Sequence, residues 1–248
     1  MCLFLAEYGV WLLGSGATCI RLEKNMKRIA ASADMEVEIT IMPRHLHLTV
    51  WSKNHRNVFT TVATVKNCPI SFYVNSRLST MSWEIADGRL SIADAYSLLD
   101  SIVRSDSQDP WLLLLLVALA NASFCRLFGG DFIAMGVVAI ATAAGYFMKI
   151  NLMRRHVDIR IIMIVCAFVS TVIGATDYLF GLGSTPMLAV GTSVLYLVPG
   201  IPFLNSFSDM LYRHYICAFS RFMDAVVLTG CLSIGLCLGL WLMRIGMF

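Results

Sequence analysis

Charge is scarce in this sequence. Asp, Glu, Lys and Arg make up 14% of its 248 residues, 58% are hydrophobic, and mean hydropathy is +0.72. A soluble domain carries about 25% charged residues, so the composition argues against a wholly soluble enzyme or a disordered tail. A net charge of +3 is too small to suggest a nucleic-acid surface, and no nucleic-acid partner is expected. The eight cysteines include no C-x-x-C pair, which removes support for a zinc ribbon or redox motif. Cys125, Cys166, Cys217, Cys231 and Cys237 lie in apolar stretches, where Cys acts as a small hydrophobe. Walker A, G-x-S-x-G and H-E-x-x-H patterns are absent, so no nucleotide site or protease centre, and no cofactor, is expected. His45-x-His47 would put two imidazoles on one strand face, but no third ligand lies nearby. A plain strand face is the simpler reading, and no metal is expected.

The charge that exists is uneven. Residues 1–110 carry 11 Lys/Arg and 11 Asp/Glu, whereas residues 111–248 carry 8 and 5. The first segment reads as an α+β domain and the second as a transmembrane domain in a lipid bilayer, an α-helical polytopic membrane protein. The N-terminal run from Met1 to Cys19 loosely resembles a lipoprotein signal, but it lacks a basic start and Glu7 interrupts it. Leu5, Tyr8, Leu12, Leu13, Ile20, Leu22 and Ile29 instead recur at helical spacing and predict one amphipathic helix, ended by Ser32–Asp34. Val37–Met42 and His45–Trp51 alternate polar and apolar residues around a Pro43–Arg44 turn, and Val58–Val65 follows a polar turn at Lys53–Asn57. Ser91 and Asp94 then mark a helix start, with Ala95, Leu98, Leu99 and Ile102 on its apolar face.

From Pro110 on, apolar runs alternate with isolated charges. Trp111–Cys125, Phe132–Met148, Ile161–Thr176, the uncharged 31-residue run Tyr178–Ser208, and Ala225–Met243 are candidate spans. A span takes about 20 residues, so the long run needs a loop at Gly181–Pro186 and its span starts near Pro186. Lys149, Arg154, Arg155 and Arg160 crowd the loop between spans two and three. By the positive-inside rule that loop is cytoplasmic, which puts the N-terminal domain inside and Phe248, after five spans, outside.

The segment Tyr196–Asp209 (YLVPGIPFLNSFSD) stands out. Pro199 and Pro202 remove backbone donors around Gly200 and predict a broken helix, a device that builds midplane sites in transporters. Ionisable groups in or near membrane are candidates for substrate or ion contact, because burying charge there costs about 2.5–3.5 kcal/mol on insertion scales. These are Arg126, Asp131, Asp177, Asp209, Arg221 and Asp224, with Asn205 beside the broken helix. Simpler structural roles exist: Asp209–Arg213 and Arg221–Asp224 have the spacing of local helix pairs, and Arg126 and Asp131 flank Gly129–Gly130 at a span end. Arg221 is the strongest of the set, since a guanidinium grips a carboxylate through two parallel donors.

Four segments in order carry a family resemblance: AEYGVWLLGSGATCIRLEKNMKRIA, ASFCRLFGGDF, LVPGIPFLNSFSDMLYRHY and AFSRFMDA. Together they resemble the threonine/serine exporter family, in the longer-subunit branch of the two-component type that includes a succinate exporter. VPGxP-x-x-N-x-x-x-D is the most specific block. The resemblance implies a cytoplasmic N-terminal domain before five spans. It also implies a second five-span half from a separate smaller membrane subunit, hence a hetero-oligomer. The matching positions are Gly129, Gly130, Pro199, Gly200, Pro202, Asn205, Asp209 and Arg221. Five is an odd number of spans and residues 111–248 show no internal repeat, which independently suggests a missing partner.

The expected function is a large subunit of a secondary exporter for a small carboxylate, either succinate-like or threonine/serine, in the bacterial inner membrane. One rival is a membrane-bound enzyme using the N-terminal domain, although no nucleophile–base pair stands out. The other is a non-transporting sensor or scaffold, which needs neither intramembrane charge nor a broken helix.

Overall fold

The computed structural model describes residues 1–52, 58–66, 68–105 and 109–245. The expected turn at Lys53–Asn57 lies outside them. The chain forms two compact units, one of Met1–Ser107 with Gly200–Asp224, the other of Gln108–Pro199 with Ala225–Phe248. Relative to a division at residue 110, Gly200–Asp224 thus groups with the N-terminal residues.

The first unit opens with α1 (Cys2–Gly14) and α2 (Cys19–Ser32). The single helix expected here is two, because Gly16 sits at φ +91°, a conformation that breaks a helix and suits glycine. A Cβ at Gly16 would also come within 2.9 Å of the Ile70 side chain. Strands β1 (Met35–Ile41), β2 (His45–Ser52) and β3 (Val58–Thr64) form an antiparallel sheet in that order, with Val37 opposite Val50 and Leu48 opposite Thr61. Alternation works as the period-two rule requires: Leu46, Leu48 and Val50 are buried, while His45 and His47 face out and are exposed. Helix α3 (Phe72–Ala86), capped by Ser71, has no counterpart among the expected elements. Helix α4 (Ile92–Arg104) starts as expected, with the Ser91 hydroxyl accepting the Asp94 N–H at 3.2 Å.

Phe4, Leu5, Tyr8, Leu12, Leu22 and Met26 are fully buried with the inward sheet residues and Leu78. Each such side chain contributes about 1.5–3 kcal/mol. The buried Tyr8 hydroxyl donates to Leu78 O at 2.9 Å and accepts from Asn25 Nδ2 at 3.0 Å, and burial pushes its pKa up, so it stays a neutral donor. Helix α10 (Gly200–Leu211) and the first turns of α11 (Tyr215–Leu242) complete this unit.

The second unit holds α5 (Pro110–Leu127), α6 (Phe132–Arg154), α7 (Ile159–Gly174), α8 (Thr176–Phe180), α9 (Pro186–Ser193), a 3-10 turn at Leu195–Leu197 and the rest of α11. Asp109, Asp131 and Asp158 cap α5, α6 and α7, each accepting a first-turn N–H and placing negative charge at the helix's positive end. Among the described residues four helices are long and apolar enough to cross a membrane, or five if the bent pair Pro186–Leu197 plus Gly200–Leu211 is one span. The loop expected at Gly181–Pro186 is found between α8 and α9. The last candidate span starts earlier than expected, at Tyr215.

Small residues let the helices of this unit approach. A Cβ at Gly235 would stand 2.3 Å from Ile164 O, and one at Gly239 would stand 2.7 Å from Thr171 Cβ. This is the small-xxx-small contact by which membrane helices pack without a hydrophobic driving force.

Candidate functional site

The broken helix is present but differs in one respect from its expected form. Helix α9 gives way to the 3-10 turn, Val198 and Pro199 are non-helical, and α10 opens at Gly200. Pro202 does not break a second turn. It lies in the first turn of α10, where a missing N–H costs nothing because that donor has no intrahelical partner.

In the first unit, Asn205, Asp209 and Arg221 converge on the turn between α1 and α2. Asn205 Nδ2 donates to Gly16 O at 2.8 Å, and Arg221 Nη2 donates to Ala17 O at 2.8 Å. Asp209, 0% exposed, accepts the Cys19 backbone N–H at 2.8 Å and lies 3.0 Å from Arg221 Nη1. The contact with Nη1 is an ion pair rather than a well-aligned hydrogen bond, since that nitrogen has no hydrogen-bond partner. Thr18 at the start of α2 makes no side-chain cap, so Asp209 caps α2 from α10. The Cys19 thiol also points at Asp209, at 3.4 Å; its hydrogen bond with Cys217, then burial, holds its pKa well above the usual thiol range.

The two expected local pairs are corrected by this arrangement. Arg213 sits past the end of α10 at φ +66° and Asp224 makes no ion pair among the described residues, so neither Asp209–Arg213 nor Arg221–Asp224 forms. Asp224 is exposed and lines a cleft of about 270 Å³ with Lys66, Cys68, Cys217, Ser220 and Arg221. Lys66 was not among the expected residues. It follows β3 in a segment with no motif, and only the fold brings it to Arg221.

In the second unit, Arg126, Gly129, Gly130 and Asp131 form the α5–α6 connection. Gly129 takes φ +92°, and its N–H and that of Gly130 return to Arg126 O and Cys125 O. The glycine pair therefore ends α5 as a C-terminal cap. Arg126 donates to Gly130 O at 3.1 Å and lies 5.0 Å from the centre of the Phe132 ring. Asp131 accepts from Ala134 N at 2.6 Å and from Ser184 N and Oγ, and these donors hold its carboxyl below the usual range. Asp177 is fully buried; its Oδ1 accepts the Gly183 N–H at 2.7 Å and its Oδ2 has no hydrogen-bond partner among the described residues.

Sequence reading missed a buried polar set in this unit. Asn121 donates to Thr142 Oγ1 at 2.6 Å and Thr192 O at 3.0 Å, and the Ser170 and Tyr196 hydroxyls meet at 3.0 Å. Uncharged polar residues within apolar runs give no signal by charge counting.

Apolar helices, a helix broken at Val198–Pro199 and polar groups buried between spans define a multi-pass membrane protein of transporter type. The chain belongs to the family described as "Putative threonine/serine exporter", whose model matches residues 3–243. Members of this family are transporters, not enzymes. Among curated proteins, it is 33% identical over 137 residues to "Probable succinate transporter subunit YjjP" of Klebsiella aerogenes, covering 54% of this chain and 53% of that one. It is 32% identical over 137 residues to the protein of the same name in Escherichia coli (strain K12), covering 54% of each. The chain thus aligns with about half the length of these relatives. No solved structure gives a significant match.

Proposed function

We propose that this chain is the larger subunit of a two-component secondary exporter of small carboxylates, either succinate-like or threonine/serine. It works in the bacterial inner membrane with a separate smaller membrane subunit, and residues 1–110 face the cytoplasm. The observation that carries the reading is the family match along residues 3–243, joined to relatives named as subunits of a succinate transporter.

The cleft at Arg221 supports the carboxylate part. Lys66, with Arg221 whose charge is shared with Asp209, lies on the wall of a space of about 270 Å³, a size that suits a small anion. Asp224 on the same wall suits the ammonium group of an amino acid and disfavours a second carboxylate. The test is reconstitution with the candidate small subunit and counterflow of labelled succinate against labelled threonine. Exchange of one or both only when the two subunits are together is the expected result. Full exchange by this chain alone, or none by the pair, overturns the reading.

A further inference from the structure

Asp131 and Asp177 come from separate helices of the second unit and approach the backbone of one residue, Gly183. A Cβ at Gly183 would stand 2.8 Å from Asp131 Oδ2 and 3.1 Å from Asp177 Oδ1. The two carboxyls are satisfied very differently. Asp131 has the Ala134 and Ser184 N–H groups and the Ser184 hydroxyl. Asp177, 0% exposed, has one donor on Oδ1, the Gly183 N–H, and none on Oδ2 among the described residues. A buried anionic oxygen with no donor is among the costliest arrangements a fold can hold.

The surroundings decide what would relieve it. Helices α6, α7 and α9 pack against α8, and the end of α11 reaches the start of α8 through Leu240 and Ile245, next to Arg244, which forms no ion pair among the described residues. Helix α9 carries no ionisable residue, and α7 carries Arg160 at its far end and Cys166. Helix α6 starts at Asp131, a like charge; its cations, Lys149 and Arg154, are at its other end. Arg126, across the Gly129–Gly130 turn, is engaged with Gly130 O and the Phe132 ring. No described cation therefore pairs with Asp177. A metal ion would need several oxygen ligands, and among the described residues no group of three His, Cys, Asp or Glu side chains surrounds Asp177. A proton needs one oxygen.

We propose that Asp177 Oδ2 is a proton-binding site of the transport cycle: the carboxylate takes up one proton there to become a neutral carboxylic acid, and returns it as the carboxylate re-forms. This rests on the exporter reading above for its role, but not for its detection. Gly183 and the Asp131 carboxyl shape the site; Asp131 holds the loop and does not carry the proton.

Infrared difference spectra of the purified chain across a pH titration test the site without any substrate. Because the other Asp and Glu side chains also protonate on acidification, the signal is read as the difference between variants: a carboxylic-acid C=O component that grows as pH falls should be present in the wild type and in Asp131→Asn, and missing from Asp177→Asn. The Asn amide oxygen still accepts the Gly183 N–H, so the loop should survive. A pH-difference spectrum that is unchanged in Asp177→Asn overturns the proposal. So does a band that responds to sodium rather than to pH. In proteoliposomes with the small subunit, Asp177→Asn should keep substrate counterflow but lose tenfold or more of the export driven by a pH gradient. Retained gradient-driven export overturns the proposal. Absence of all transport in the wild type overturns the exporter reading, while the spectra still decide the proton site.

Discussion

The Arg221 guanidinium lies 3.0 Å from the Asp209 carboxylate, and that same carboxylate receives the Cys19 backbone N–H at 2.8 Å. One buried acid thus holds together α2, α10 and α11. Because Arg221 also donates to Ala17 O, its two terminal nitrogens have separate structural duties.

Removing one partner of a buried pair costs about 3–5 kcal/mol, because the other charge is left uncompensated. Arg221 keeps 20% of its side chain exposed, so the lower end applies. Asp209→Ala and Arg221→Ala should each lose about 3 kcal/mol, measured by denaturant unfolding in detergent. The double variant should lose well under the sum, with a coupling of about 1–3 kcal/mol. Strict additivity would show that the pair contributes nothing. Arg221→Lys keeps the charge but not the planar fork, and should lose about 1 kcal/mol.

Pro199→Ala restores a backbone donor at the interruption between the 3-10 turn and α10. If the interruption serves transport, maximal flux in the two-subunit liposomes should fall with apparent affinity little changed and stability at least kept. Unchanged flux would reduce the break to a packing feature.

The depressed Asp131 carboxyl sets an acid limit. Its lowering comes first from the Ala134 N–H, then from the Ser184 N–H. A group whose folded pKa lies below its unfolded value adds stability above the unfolded pKa and loses it as pH falls through the folded one. The loop between α8 and α9 should therefore be protected from hydrogen exchange at neutral pH and lose protection below about pH 4, the unfolded Asp value. Asp131→Asn should show weaker protection at neutral pH and little acid dependence. Equal acid dependence in both proteins would assign the effect elsewhere.

Gly235 has the Ile164 carbonyl where its Cβ would go, and backbone cannot swing aside as a side chain can. Gly235→Ala should destabilise the second unit by about 1–3 kcal/mol, as overpacking does. Gly230 has nothing within 4 Å and serves as the control, since Gly230→Ala should be neutral or stabilising. Equal thermal shifts in the two variants would refute the close α7–α11 contact.

The sequence by itself determined what depends on near neighbours and on composition. The division between charged and apolar segments, the alternation that turns Leu46, Leu48 and Val50 inward, the Ser91 cap and the loop between Phe180 and Pro186 are all legible there. Each follows from periodicity, propensity or hydropathy within a few residues. The tertiary structure alone decided which charged groups meet. Asp209 and Arg221 each had a nearer candidate partner, yet they pair with each other because packing α10 and α11 on the α1–α2 turn buries Asp209 fully and most of Arg221. A buried charge must take whatever opposite charge and donors the packed elements bring to it. The same holds for Asp131 and Asp177, which only the loop at Gly183 brings together. Local spacing rules cannot see that choice, because the desolvation that enforces it exists only after the helices have packed.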